Sequence, residues 1–146
     1  MKKIQFDSGI QAFQLGSGGV LRFNPCDPNV YARFLEAAGK IKALEEDLTA
    51  KAKGLEGQDC GSAALELLTD ADKKIKQILA WVFGGDNDMD KALGGVNLLA
   101  VAGNGERVVT NLFQALQPVL VAGAESCARE KTEAAVAKAK ARRAGQ

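Results

Sequence analysis

The chain has 146 residues, 47% apolar and 25% charged, with 19 Lys and Arg against 18 Asp and Glu and no histidine. That length suits one domain, and a net charge of +1 gives no overall pull towards nucleic acid, anionic membrane or acidic substrate. The missing histidine removes the commonest general base, the commonest metal ligand and every Ser-His or Cys-His dyad, which argues against an enzyme and leaves no catalytic, metal-binding or cofactor-binding set to nominate.

Ile4 and Phe6 alternate with polar neighbours, Asp7-Ser8-Gly9 offers a turn, and Ile10 to Leu15 leads through Gly16-Ser17-Gly18-Gly19 into Val20-Leu21-Arg22-Phe23. This pattern predicts two or three short antiparallel strands over residues 1–24, a hairpin or meander whose outer edge is open to pairing. Asn24-Pro25 ends the strand. Asp27 then stands as N-cap with Pro28 at the first helical position, where its missing N–H costs nothing. From Pro28 to about Lys53, Tyr31, Phe34, Leu35, Ala38, Ile41, Leu44 and Leu48 recur at three- and four-residue spacing and predict a long amphipathic helix.

Gly54 and Gly57 are stop signals, and the polar stretch from Glu56 to Gly61 reads as a loop. A second helix is expected from Ser62, with a stripe of Leu65, Leu68, Ala71, Ile75, Ile78, Leu79 and Val82. Asp70, Asp72, Lys73, Lys74 and Lys76 read as its solvated side, and Trp81 and Phe83 close it against Gly84-Gly85. The segment Asp86 to Asp90 should cap a third, shorter helix carrying Met89, Leu93, Val96, Leu99 and Ala100, with Gly94-Gly95 as a place for close packing. After Gly103-Asn104-Gly105, the residues Val108, Val109, Leu112, Phe113, Leu116, Val119 and Leu120 mark a fourth helix with Pro118 as a bend or boundary. From Gly123 the apolar stripe dissolves, and between Arg129 and Gln146 six basic residues (Arg129, Lys131, Lys138, Lys140, Arg142, Arg143) outnumber Glu130 and Glu133, a surplus of +4. The expectation is therefore a mainly α fold: a β-hairpin region at 1–24, a helical core at 28–122 and a projecting basic helix at 123–146, together one domain.

Asp86, Asp88 and Asp90 imitate the opening of a calcium loop, but Lys91 stands where glycine is needed and Asn97 where a bidentate glutamate is needed. Helix capping is the plainer reading, with a weak cation site as the alternative. Cys26, Cys60 and Cys127 are too widely spaced for a disulfide framework or a metal knuckle and read as reduced thiols. The basic end lacks interleaved aromatics, so a solvated or protein-binding helix is favoured over nucleic-acid binding. No apolar run reaches the length of a membrane span, and Met1-Lys2-Lys3 is not followed by the apolar core of a signal peptide, so the chain reads as cytosolic and not secreted.

Three runs carry a resemblance: Val20-Leu-Arg-Phe-Asn-Pro-Cys-Asp-Pro-Asn-Val-Tyr-Ala-Arg-Phe34, Trp81-Val-Phe-Gly-Gly-Asp-Asn-Asp88 and Gly103-Asn-Gly-Glu-Arg-Val-Val109. With them, nearly the whole chain resembles small prophage proteins of Gram-positive bacteria that look like tail assembly chaperones of long-tailed phages. The resemblance implies a non-enzymatic helical protein of the bacterial host cytoplasm that coats the tape-measure protein, with the tail-tube protein as a further partner. It also implies many copies, hence self-association through the hairpin edge or first helix, and in such families a longer product made by frameshifting. The residues singled out for protein contact are Phe23, Tyr31 and Phe34 near the strand-to-helix junction and Trp81 and Phe83 at the end of the second helix, with core packing as the competing reading for each. A structural virion component, such as a tail-tube subunit or connector, is the alternative function, and a nucleic-acid-binding phage regulator is the third.

Overall fold

Two antiparallel strands, β1 (Gln11–Leu15) and β2 (Gly19–Phe23), open the ordered part of the fold, paired from Gln11 opposite Phe23 to Leu15 opposite Gly19. The computed structural model describes residues 1–16, 18–55 and 61–145, and at 130–132 and 134 only their backbone. The expected strand at Ile4 and Phe6 does not form: residues 1–10 join no ladder, so the sheet is a hairpin and not a meander. Phe13, Leu21 and Phe23 face inward, and the Phe23 ring lies 4.7 Å from Phe13 and 4.9 Å from Phe83, which fixes the hairpin on the helices.

Helix α1 runs Pro28–Lys53, as the capping signal predicts. Asp27 Oδ1 accepts the Asn29 N–H at 2.9 Å, and the preceding turn is tied by Asn24 Oδ1, which accepts from Cys26 N at 2.8 Å. Its buried face is Val30, Phe34, Ala37, Ile41 and Leu48, so Leu35 and Ala38 from the expected stripe lie outside it. Helix α2 covers Gly61–Phe83, one residue ahead of the expected start, and packs against α1 as its antiparallel partner through Ala71, Ile75, Leu79 and Val82. Leu65, assigned to that stripe, is exposed. Arg33 Nε on α1 donates to the Val82 carbonyl at 3.1 Å, placing a cation at the carbonyl end of α2 where the helix dipole favours it.

The third helix, α3, is only Met89–Ala92, far shorter than expected. Gly94 and Gly95 both take left-handed φ, 67° and 75°, and the chain turns there instead of continuing to Ala100. They are turn residues and not packing residues. The glycines that do permit close approach are elsewhere: a Cβ on Gly19 would overlap the Ala92 carbonyl, and one on Gly123 would overlap the Pro25 carbonyl.

Helix α4 extends Val108–Ala144 without a break, with Pro118 inside it, so the predicted fourth helix and basic tail are one element. No side chain caps its start. Instead Val108 N and Val109 N donate to the carbonyls of Ala100 and Leu98 at 2.9 and 2.8 Å, satisfying two amides a helix start leaves orphaned. Val109, Leu116 and Leu120 enter the core, Phe113 stacks on Phe34 at 4.7 Å, and beyond the half-buried Cys127 the described side chains of the helix are exposed.

Candidate protein-binding surfaces

The five nominated contact residues fall in different places. Phe23, Phe34 and Phe83 are core side chains, 2%, 4% and 6% exposed, and Tyr31 is half-buried against the core. Trp81 is the exposed one, at 43%. It sits where α2 turns its outer face past α1, and Lys40 Nζ lies 4.1 Å from its ring centroid, a cation–π contact across the helix pair.

Trp81 borders an open groove of about 620 Å³ between α1 and α2, floored by Ala43, Leu44 and Ile78 and rimmed by Lys40, Asp47 and Lys74. A second groove, about 330 Å³, runs along the other side of α1 against α4. Its floor is Phe34, Leu35, Ile41, Val109 and Phe113, and Lys42 and Glu45 stand on its rim. Helix α1 therefore has an apolar trough on either flank, each with charged edges, the form in which an amphipathic helix is received. Leu35 is one of the residues the pattern misassigned: one position beyond Phe34 turns it about 100° around the helix, out of the core and into the trough.

The charged residues of α2 and α3 are organised for structure. Asp72 and Lys76, expected on a solvated face, are buried at 9% and 7% exposure. Lys76 Nζ donates to Asp72 Oδ2 at 2.8 Å, to Asp90 Oδ1 at 2.6 Å and to the Val96 carbonyl at 2.8 Å, while Asp72 Oδ1 accepts from Leu98 N at 2.8 Å. Asn97 Nδ2 adds a bond to the Leu68 carbonyl, so residues 96–98 are stitched onto α2 and Leu98 is carried into the core. Burial pushes the Lys76 ammonium down, but the hydrogen bonds and charges of Asp72 and Asp90 outweigh it and hold it above the ordinary lysine value. The three aspartates of the calcium-like run do separate work: Asp88 caps α3 by accepting from Lys91 N, Asp90 faces Lys76, and Asp86 is exposed. Among the described residues no group of three or more His, Cys, Asp or Glu is placed to hold a metal ion.

Cys26 and Cys127 are free and half-buried; Cys60 lies outside the described residues, as does Gly57. At the basic end Lys138, Lys140, Arg142 and Arg143 are exposed along the last turns of α4, and among the described residues no helix is long and apolar enough to cross a membrane. No protein-family model matches the chain, and neither curated proteins nor solved structures yield a match.

Proposed function

We propose that this chain is a tail assembly chaperone of a long-tailed phage, which binds the tape-measure protein in the host cytoplasm, with the tail-tube protein as a further partner. The observation that carries the reading is the pair of open, apolar-floored troughs flanking α1. A tape-measure protein is a long helical rod with apolar stripes, and such stripes need cover before the tube closes around them. A trough with Leu35 and Phe113, or Trp81 and Ile78, on its floor and charges on its rim supplies that cover by helix-in-groove docking. The resemblance of the three sequence runs points the same way.

Co-expression with the tape-measure protein of the same phage, followed by solubility comparison and pull-down, tests it. Soluble complex that requires this chain, and that is lost in Leu35→Asp, is the expected result. A tape-measure protein that stays insoluble and unbound refutes it. The open edge of β1 favours a second reading, a structural component of the tail, because polymerising subunits join through unpaired strand edges. Mass spectrometry of purified virions separates the two, since a chaperone is absent from the finished particle.

A further inference from the structure

The segment before β1 has the pattern of a strand and lacks a strand's partner. In Lys3-Ile4-Gln5-Phe6-Asp7 apolar and polar residues alternate with period two, yet Ile4 and Phe6 are 87% and 80% exposed. The base of the segment is held on the β2 side of the sheet. Asn24 Nδ2 donates to the Ser8 carbonyl at 3.0 Å, Asp7 Oδ1 accepts from Gly9 N at 2.8 Å, and Gly9 takes a φ of 75° against the Asn24 side chain. Folding back along the far edge of its own β1 would break this anchorage.

The hairpin has one closed edge and one open edge. On β2, the Asn87 side-chain amide accepts from Arg22 N and donates to the Arg22 carbonyl, both at 2.8 Å, and Gly19 abuts Ala92. The backbone of Arg22 therefore faces away from β1. By the alternation of an antiparallel ladder, Ala12 opposite Arg22 and Gln14 opposite Val20 turn their N–H and C=O groups outward on β1. Beneath that edge lies an apolar groove of about 500 Å³ between β1 and α4, floored by Phe13, Leu15, Leu112, Leu116 and Val119.

We propose that residues 1–7 of one copy add as a third strand to the open edge of β1 in a second copy, laying Ile4 and Phe6 into the groove between β1 and α4. Ile4 and Phe6 are two residues apart on one strand face, the same repeat as Phe13 and Leu15 in the groove. Both halves of the contact are present in this one chain, so the pairing closes reciprocally between two copies. The area is sufficient. Ile4 and Phe6 bring about 300 Å² of exposed side chain per segment. With a matching area of groove and both segments engaged, the total reaches about 1,200 Å², the lower bound of stable interfaces, before strand pairing is added. This assignment stands apart from the chaperone reading and would hold for a virion component as well.

The test is the mass of the full chain by size-exclusion chromatography with light scattering across the micromolar range. A dimer is expected for the wild type. Ile4→Lys/Phe6→Asp removes the inserting side chains, and Gln14→Pro removes an outward N–H at an edge position that tolerates proline. Each variant alone is expected to be monomeric, with circular dichroism and thermal unfolding close to wild type because the altered groups are exposed. Mixed together they can form only one of the two contacts, about 600 Å² and half of what a stable interface needs, so the mixture is expected to stay monomeric as well. A monomeric wild type, or a dimer that persists in either variant, overturns the proposal. So does a wild type that stays monomeric while capturing a different protein through Ile4 and Phe6.

Discussion

Replacing Lys76 with methionine keeps the unbranched stem, one atom shorter, and removes its charge from a site that is 7% exposed. Three acceptors lose their donor: Asp72 Oδ2, Asp90 Oδ1 and the Val96 carbonyl. Asp72 is the costly one, because its side chain is 12% exposed and keeps only the bond from Leu98 N. Breaking a buried pair by removing one partner costs about 3–5 kcal/mol, the larger part being the charge left behind. At about 2–4 °C per kcal/mol for a domain near this size, Lys76→Met should melt roughly 6–20 °C below wild type. Asp90, whose side chain is 66% exposed, is a surface partner, and Asp90→Ala should cost no more than about 1 kcal/mol. In the double variant Asp72→Asn/Lys76→Met the stranded charge is gone, so it should be more stable than Lys76→Met alone, a non-additivity read by urea unfolding of all three. The pH dependence has a definite sign. The folded-state value of Lys76 lies above the unfolded one, 10.5, so the ammonium's contribution is complete below 10.5 and is lost as pH rises through the folded value. The gap between wild type and Lys76→Met should thus be flat near neutrality and narrow in strong alkali. A Lys76→Met penalty under about 1 kcal/mol would place the pair with ordinary surface ion pairs and refute this account.

Gly19→Ala and Gly123→Ala should each lose about 1–3 kcal/mol, because the added methyl meets a backbone carbonyl that cannot rotate away. Gly39→Ala, in the middle of α1 with open space around it, should gain about 0.5–1 kcal/mol; chemical denaturation of the three separates packing from propensity. Asn87→Ala should speed amide hydrogen exchange at Arg22 and cost about 1 kcal/mol, and unchanged exchange would remove Asn87 from the role of edge cap. Trp81→Ala should leave the melting temperature within a few degrees of wild type while weakening capture of the tape-measure protein in pull-down; a large loss of stability instead would assign Trp81 to the core.

What the sequence discloses depends on how local the cause is. The start of α1 is legible because Asp27 and Pro28 are themselves the start: a carboxylate accepting from Asn29 N and a residue with no amide to satisfy. The mainly α architecture with its hairpin is legible for the same reason. The length of α3 was misjudged because Gly94-Gly95 can serve close packing or a left-handed turn, and only the conformation says which. The joining of the fourth helix to the basic tail follows from Ala, Lys, Arg and Glu, which sustain a helix after its apolar stripe has ended. Asp72 and Lys76 are visible as an i,i+4 pair, but their burial comes from residues 96–98 folding over them, with bonds spanning 20 and 26 positions. The troughs beside α1 are not legible at all, since they are set by the distances between helices; of the five nominated residues, Trp81 borders one trough, the largely buried Phe34 lines the other, and Phe23 and Phe83 pack in the core.

Helix α4 is one stiff rod of 37 residues, about 55 Å long, and only its first part is clamped by the core. Val109, Leu116 and Leu120 hold that part in the core and Gly123 lies against the Pro25 carbonyl, so the basic end is carried on the far side of this clamp from Val109 and Phe113, one wall of the trough against α1. Pro118 lies within the clamped part, between the core residues Leu116 and Leu120, where its missing N–H leaves one helical hydrogen bond unmade. Grip at the charged end and occupancy of the apolar trough can therefore be varied separately, by substitutions beyond Gly123 in one case and at Leu35 or Phe113 in the other.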